Sequence, residues 1–251
     1  MQIQKALQSA TIAFSMFFQF ALMVPEQAWS MDLEKGLIAA MNGELKTALI
    51  ELEPLAEQGN VEAQFSVALI YMQSAAYEPA EELLRKADSA GHPDASYYIG
   101  LIFRNGLNGK HNPEEAVKWF FRSASFGHRE AYYNLHIAYD SGLGGVEKDQ
   151  EAAFMYALAA AELGHADAQY KLGMFYSLGE GAEKDLVLAH MWLEIAAFSE
   201  TFDYPPRNAR TELNLTSGET VREMLLLISE ILPLKQRVIA EVKARTCVKQ
   251  D

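Results

Sequence analysis

Three histidines invite a metal reading. His92, His128 and His165 each follow a glycine, and they stand 36 and 37 residues apart. An imidazole nitrogen ligates a divalent transition metal at about 2 Å and needs its co-ligands in the same small shell. The same step organises the whole chain, so the three belong to successive units and would be spaced by a helix-packing distance of roughly 10 Å. That is too far for one ion, and they read as junction residues. Glu114 and Glu115 suggest paired carboxylates, but adjacent helix positions point apart. Pro113 before them marks a helix N-terminus, where acids are favoured. No His-Glu-x-x-His, Ser-x-x-Lys, Gly-x-Ser-x-Gly or Gly-Lys-Ser/Thr string occurs. The expectation is no catalytic, metal-binding or cofactor-binding residue, no cofactor, and no enzyme.

What the residues do show is repetition. The segment Ala63-Gln64-Phe65-Ser66-Val67-Ala68-Leu69-Ile70-Tyr71 returns from Ala95, Ala131 and Ala168, at intervals of 32, 36 and 37 residues. A second series, Ala48, Ala80, Ala116, Ala153 and Ala189, keeps nearly the same step. Two registers with one period mean a stacked array rather than a single globular core. In the first series the alanine, the aliphatic four places on and the aromatic eight places on share one helical face. In the second, Ala116, Trp119 and Ala124 form a stripe that repeats at Ala153, Tyr156 and Ala161 and at Ala189, Trp192 and Ala197. Each unit is therefore a helix pair. Gly59, Gly91, Gly127 and Gly164 close the second helices as left-handed caps. Glu62, Asp94, Glu130 and Asp167 follow at the positive start of the next helix. Glycine-rich turns join the two helices of a pair, at 105–109, 141–145 and 178–181, and the turn at 73–77 is shortened.

The first helix, with its small residue at Ala68, Gly100 and Gly173, the glycine-rich turn and the Ala-x-x-Trp second helix resemble Sel-one-like repeats. These are relatives of tetratricopeptide repeats with a longer turn inside the unit. The resemblance covers roughly 32–198, and Val146-Glu147-Lys148-Asp149 and Gly181-Ala182-Glu183-Lys184-Asp185 are among its most specific pieces. It implies an all-α fold, a right-handed α-solenoid of stacked antiparallel helix pairs, and a role as adaptor scaffold, often outside the bacterial cytoplasm. Two departures stand out. His136 replaces the packing glycine of one unit, which predicts a wider gap or local strain there, and Ser199-Glu200 replaces the last closing glycine.

The ends differ from the middle. Lys5, the apolar run Ala10–Val24, Pro25 and the small residues of Ala28-Trp29-Ser30 have the layout of a secretory signal peptide. Cleavage near Ser30 is expected; the alternative is an uncleaved anchor with Trp29 at the interface. The expected divisions are a signal at 1–30, a solenoid at 31–200 and C-terminal capping helices at 201–251. Within the solenoid a lead-in pair spans 32–59, and repeats span about 63–94, 95–130, 131–167 and 168–200. Pro205-Pro206 breaks the period, and Thr216-Ser217-Gly218-Glu219 has the spacing of a capping box. The helix it opens carries Met224-Leu225-Leu226-Leu227, which either is buried on the last repeat or forms a dimer seam. Cys247 is the only cysteine, so stability must come from helix packing and not a disulfide.

The net charge is −13 over 251 residues. That excludes a phosphate-neutralising surface for nucleic acid and attraction to anionic lipid. No stretch after the signal is long and apolar enough to span a bilayer. What remains is a periplasmic or secreted scaffold that holds a protein or peptide. First helices line the concave side of such an array. Ser66, Tyr98, Asn134 and Lys171 form one column of groove positions; Leu69, Leu101, Ile137 and Met174 a second; Met72, Arg104, Asp140 and Ser177 a third. Ser66, Tyr98, Arg104, Asn134, Asp140, Lys171 and Ser177 are the expected contacts, with Tyr98 and Arg104 as anchors by residue type. The alternative is a cell-wall-active or β-lactam-binding hydrolase, because some exported relatives have such links. Those relatives rely on a disulfide in each repeat, which this chain lacks.

Overall fold

The computed structural model describes residues 26–109, 111–198 and 217–247. The apolar run Ala10–Val24, Ser199-Glu200 and Pro205-Pro206 lie outside the described residues. Among those described, every regular element is α-helical, and consecutive helices pair into an α-solenoid. The chain falls into two compact units, one ending at His92 and one beginning at Pro93.

The first unit contains α1 (Glu26–Met41), α2 (Leu45–Glu57), α3 (Val61–Gln73) and α4 (Tyr77–Ser89). Each packs on the next. Both alanine series point inward, so Ala48 and Ala63 are fully buried beside Leu52, Val67 and Ile70. Small residues at these positions let backbones approach, and the larger aliphatics fill the gaps between them. Asn60 caps α3 by accepting a hydrogen bond from the Ala63 amide at 2.9 Å. Gln64 Nε2 donates to the Ala56 carbonyl at 3.1 Å, tying α3 to the end of α2. The shortened turn between α3 and α4 has no glycine, and Ala75 takes the left-handed conformation at φ 59°.

The second unit contains three pairs: α5 (Ala95–Asn105) with α6 (Pro113–Ser125), α7 (Arg129–Ser141) with α8 (Gln150–Glu162), and α9 (Ala166–Leu178) with α10 (Leu186–Phe198). Then α11 (Ser217–Ile231) and α12 (Leu234–Cys247) both pack on α10. Each second helix opens on a side-chain cap. Asn112 accepts from the Glu115 amide, Asp149 from the Glu151 and Ala152 amides, and Asp185 from the Val187 and Leu188 amides. These Asx caps end the glycine-rich turns and set where the next helix starts.

Packing within the pairs follows a rule of complementary sizes. A Cβ on Gly100 would stand 2.6 Å from the Phe120 ring, and one on Gly173 would stand 2.6 Å from Leu193 Cγ. A bare position on the first helix thus receives a large side chain from the second. The expected gap at His136 does not occur, because α8 carries Ala157 in the register of Phe120 and Leu193. The imidazole takes up that volume itself. It is 1% exposed, and α7 and α8 pack as closely as the flanking pairs.

Candidate functional site

The junction histidines serve the stack. In the first unit His92 lies flat on Phe65, with ring centroids 3.8 Å apart, and its Nε2 is 3.6 Å from Glu62. In the second unit His128 stacks on Tyr97 at 4.4 Å and His165 on Tyr133 at 4.2 Å. Both stand at helix N-termini: His128 precedes α7, and His165 Nδ1 accepts from the Ala168 amide. His128 also faces Asp94 at 3.5 Å and Glu130 at 3.1 Å. Burial pushes its pKa down, against the pull of those two carboxylates. Burial pushes His165 down to about 4. His136 is lowered for the same reason, although the Ala153 carbonyl it bonds favours its charged form. Among the described residues no group of three His, Cys, Asp or Glu side chains could hold a metal ion.

The face carried by α5, α7 and α9 has more structure than a solvated surface. Tyr98 is half-buried, edge-on to Tyr97, with its hydroxyl pKa raised mainly by burial. Arg104 at the end of α5 is exposed, yet its guanidinium is partly desolvated, which lowers its pKa. Its Nε donates to Asn105 Oδ1 at 3.1 Å, and its Nη1 donates to Asn134 Oδ1 on α7. Asn134 was expected as an open groove contact, but it is only 7% exposed. Its Nδ2 donates to the Glu130 carbonyl at 2.7 Å. It is therefore a bracket: one end fixed to its own helix, the other holding the arginine of the preceding repeat.

Further along, Asp140 accepts from Gln150 Nε2 at 3.0 Å, and Ser177 Oγ donates to the Met174 carbonyl at 2.8 Å. Lys171 and Met174 are half-buried, and Ile137 is 37% exposed. Between α7 and α9 lies a pocket of about 150 Å³, lined by His136, Asp140, Tyr170, Lys171, Met174 and Leu178, among others. The structure thus brings together Arg104 and Asn134 at one junction, and Asp140 and Lys171 at the next. Ser66 lies in the first unit, half-buried on α3.

Sequence reasoning missed an aromatic group. Tyr139 stacks on Tyr156 at 5.3 Å, and Phe121 stands edge-on to both. Beside it is an open cleft of about 740 Å³, lined by Tyr139, the Glu147–Glu151 segment, Gly181 and Ala182. The signal was available, since Tyr139 ends the segment that starts at Ala131, Tyr156 stands in the stripe Ala153, Tyr156 and Ala161, and Phe121 lies between Trp119 and Ala124.

A family model described as the Sel1 repeat matches residues 55–78, 93–128, 129–165 and 166–197, about half of the chain. No curated protein matches. Similar crystal structures include the following two. One is of a protective antigen present in uropathogenic Escherichia coli strains displaying an SLR fold, with 26% identity and a TM-score of 0.69. That match covers 88% of this chain and 45% of the other, so the chain spans less than half of that protein. The second is of a Sel1 repeat protein from Oxalobacter formigenes, with 26% identity and a TM-score of 0.60, covering 66% of this chain and 69% of that one.

Proposed function

The chain belongs to the Sel1 repeat family, and from that premise we propose that it holds a protein or peptide segment on the face of α5, α7 and α9, in the bacterial envelope or outside the cell. Sel1 repeat proteins are generally protein–protein interaction scaffolds and are typically not enzymes. The observation that carries the choice of face is the Arg104–Asn134 link between consecutive repeats. A surface arginine that is only solvated wanders among rotamers. This one is held by a buried amide, so its remaining donors are pre-ordered, which lowers the entropy lost on binding. Tyr98 and Leu101 on the same helix supply adjoining apolar surface. The envelope location rests on the residues of the first segment: Lys5, the Ala10–Val24 run and the small residues before Met31.

The test is recovery of partners from envelope extract by the chain and by a Tyr98→Ala, Arg104→Glu variant with unchanged helicity. At least one protein should be retained by the first and lost by the second. Equal recovery of every partner by both would sink the assignment of this face. Fractionation that left the protein in the cytoplasm would sink the location and leave the face untouched.

A further inference from the structure

Helix α11 carries more aliphatic side chains than the last repeat covers. Met224, Leu225 and Ile228, with Leu232 just beyond the helix, pack against Tyr170, Ala189, Leu193 and Ala196. Outside that contact Leu226, Leu227 and Ile231 are 66%, 62% and 67% exposed. A helix that merely caps an array needs a polar outer face. This one turns large aliphatic side chains outward.

Two charges say what fits there. Arg222 and Glu230 are both exposed, and each lies four residues from Leu226, on the same ridge of the helix. A ridge with a cation, a leucine and an anion at equal spacing is complementary to itself when reversed. Turning a second α11 antiparallel about a two-fold axis at Leu226 sets Arg222 against Glu230 of the partner subunit. The same operation sets Glu230 against the partner's Arg222, with the two Leu226 side chains meeting at the axis. An isologous interface makes every such pair twice. The wider charge pattern agrees. Residues 217–247 hold five basic and four acidic side chains in a chain of net charge −13. Two copies that meet at this end bring together their least repulsive parts.

We propose that α11 is a self-association seam on which a second copy of this chain docks antiparallel, centred on Leu226 and registered by the Arg222–Glu230 pairs. The test is sedimentation equilibrium on the purified chain and on four surface variants or mixtures. The chain should dimerise. Arg222→Glu and Glu230→Arg should each weaken the dimer about tenfold or more, since each places like charges in contact twice. The double variant should restore dimerisation, and an equimolar mixture of the two single variants should form a heterodimer. Circular dichroism confirms that each variant keeps its helices. A chain that stays monomeric overturns the proposal. So does association equal in all variants, as a different seam or the apolar N-terminal run would give. Loss in both single variants without rescue in the double variant overturns it too, and would mean another protein or another segment of this chain occupies the face.

Discussion

His136 Nδ1 lies 3.0 Å from the carbonyl oxygen of Ala153, so the ring that replaces a packing glycine bonds to the helix it would have been expected to push away. The Nδ1–H tautomer donates, and Phe175 stands edge-on to the ring at 5.7 Å. His136→Gly should therefore not repair a misfit but open one. Removing the ring beside Ala157 leaves a cavity and loses the bond to the Ala153 carbonyl, and should cost about 2–4 kcal/mol in urea unfolding. Adding Ala157→Leu should recover a large part of the loss, because it rebuilds the pairing of Gly173 with Leu193. Failure of the second change to help would refute the size-exchange reading.

Acid should loosen the array well above the range where carboxylates titrate. His128, His136 and His165 are all held below their ordinary pKa of 6.5 by burial, His165 at about 4. The unfolded chain takes up protons first as the pH falls. The stability these groups confer is thus complete above pH 6.5 and is lost as the pH drops from there toward 4. The urea midpoint at pH 5 should be lower than at pH 7.5. His165→Phe keeps a ring on Tyr133 and removes one titration, so the difference between the two midpoints should shrink.

Ala75 is the one non-glycine residue with positive φ among those described. Left-handed backbone costs an L-residue roughly 1–2 kcal/mol, partly offset by the extra freedom that glycine gives the unfolded chain. Ala75→Gly should raise stability by about 0.5–1 kcal/mol, read as a higher melting temperature. No change or a fall would show that the short turn has relaxed by other means.

Arg104 and Asn134 share a bond but should differ on removal. Asn134→Ala removes a buried amide that bridges Arg104 and the Glu130 carbonyl, and should cost about 1–2 kcal/mol of stability. Arg104→Ala removes an exposed group and should shift stability by less than about 0.5 kcal/mol. If partner binding falls equally in both, the amide's task is to hold the arginine for a ligand.

The array itself was legible because its signal is steric and local. Alanines at one period can face only a neighbouring backbone, and Ala48, Ala80, Ala153 and Ala189 are indeed 0% exposed. His136 was misjudged because one helix was considered alone; the compensating Ala157 lies 21 residues later and has meaning only in register with Phe120 and Leu193. Asn134 reads as a groove contact because its register puts it in one column with Ser66, Tyr98 and Lys171, beside the buried stripe. Nothing in its own segment shows that it reaches a carbonyl one turn back and an arginine one repeat back. The outward leucines of α11 were ambiguous for a similar reason, since a run of four places side chains on every side of a helix.

The ring stacks at the junctions bear on how such an array can grow. Residues 95–130 carry an aromatic near their start, Tyr97, and the histidine that lies on it near their end, His128; the next unit carries Tyr133 and His165. Each module brings both halves of its own joint. Duplicating or deleting one whole module leaves no ring without a mate, so the number of repeats can change in a single genetic step without a second, compensating substitution.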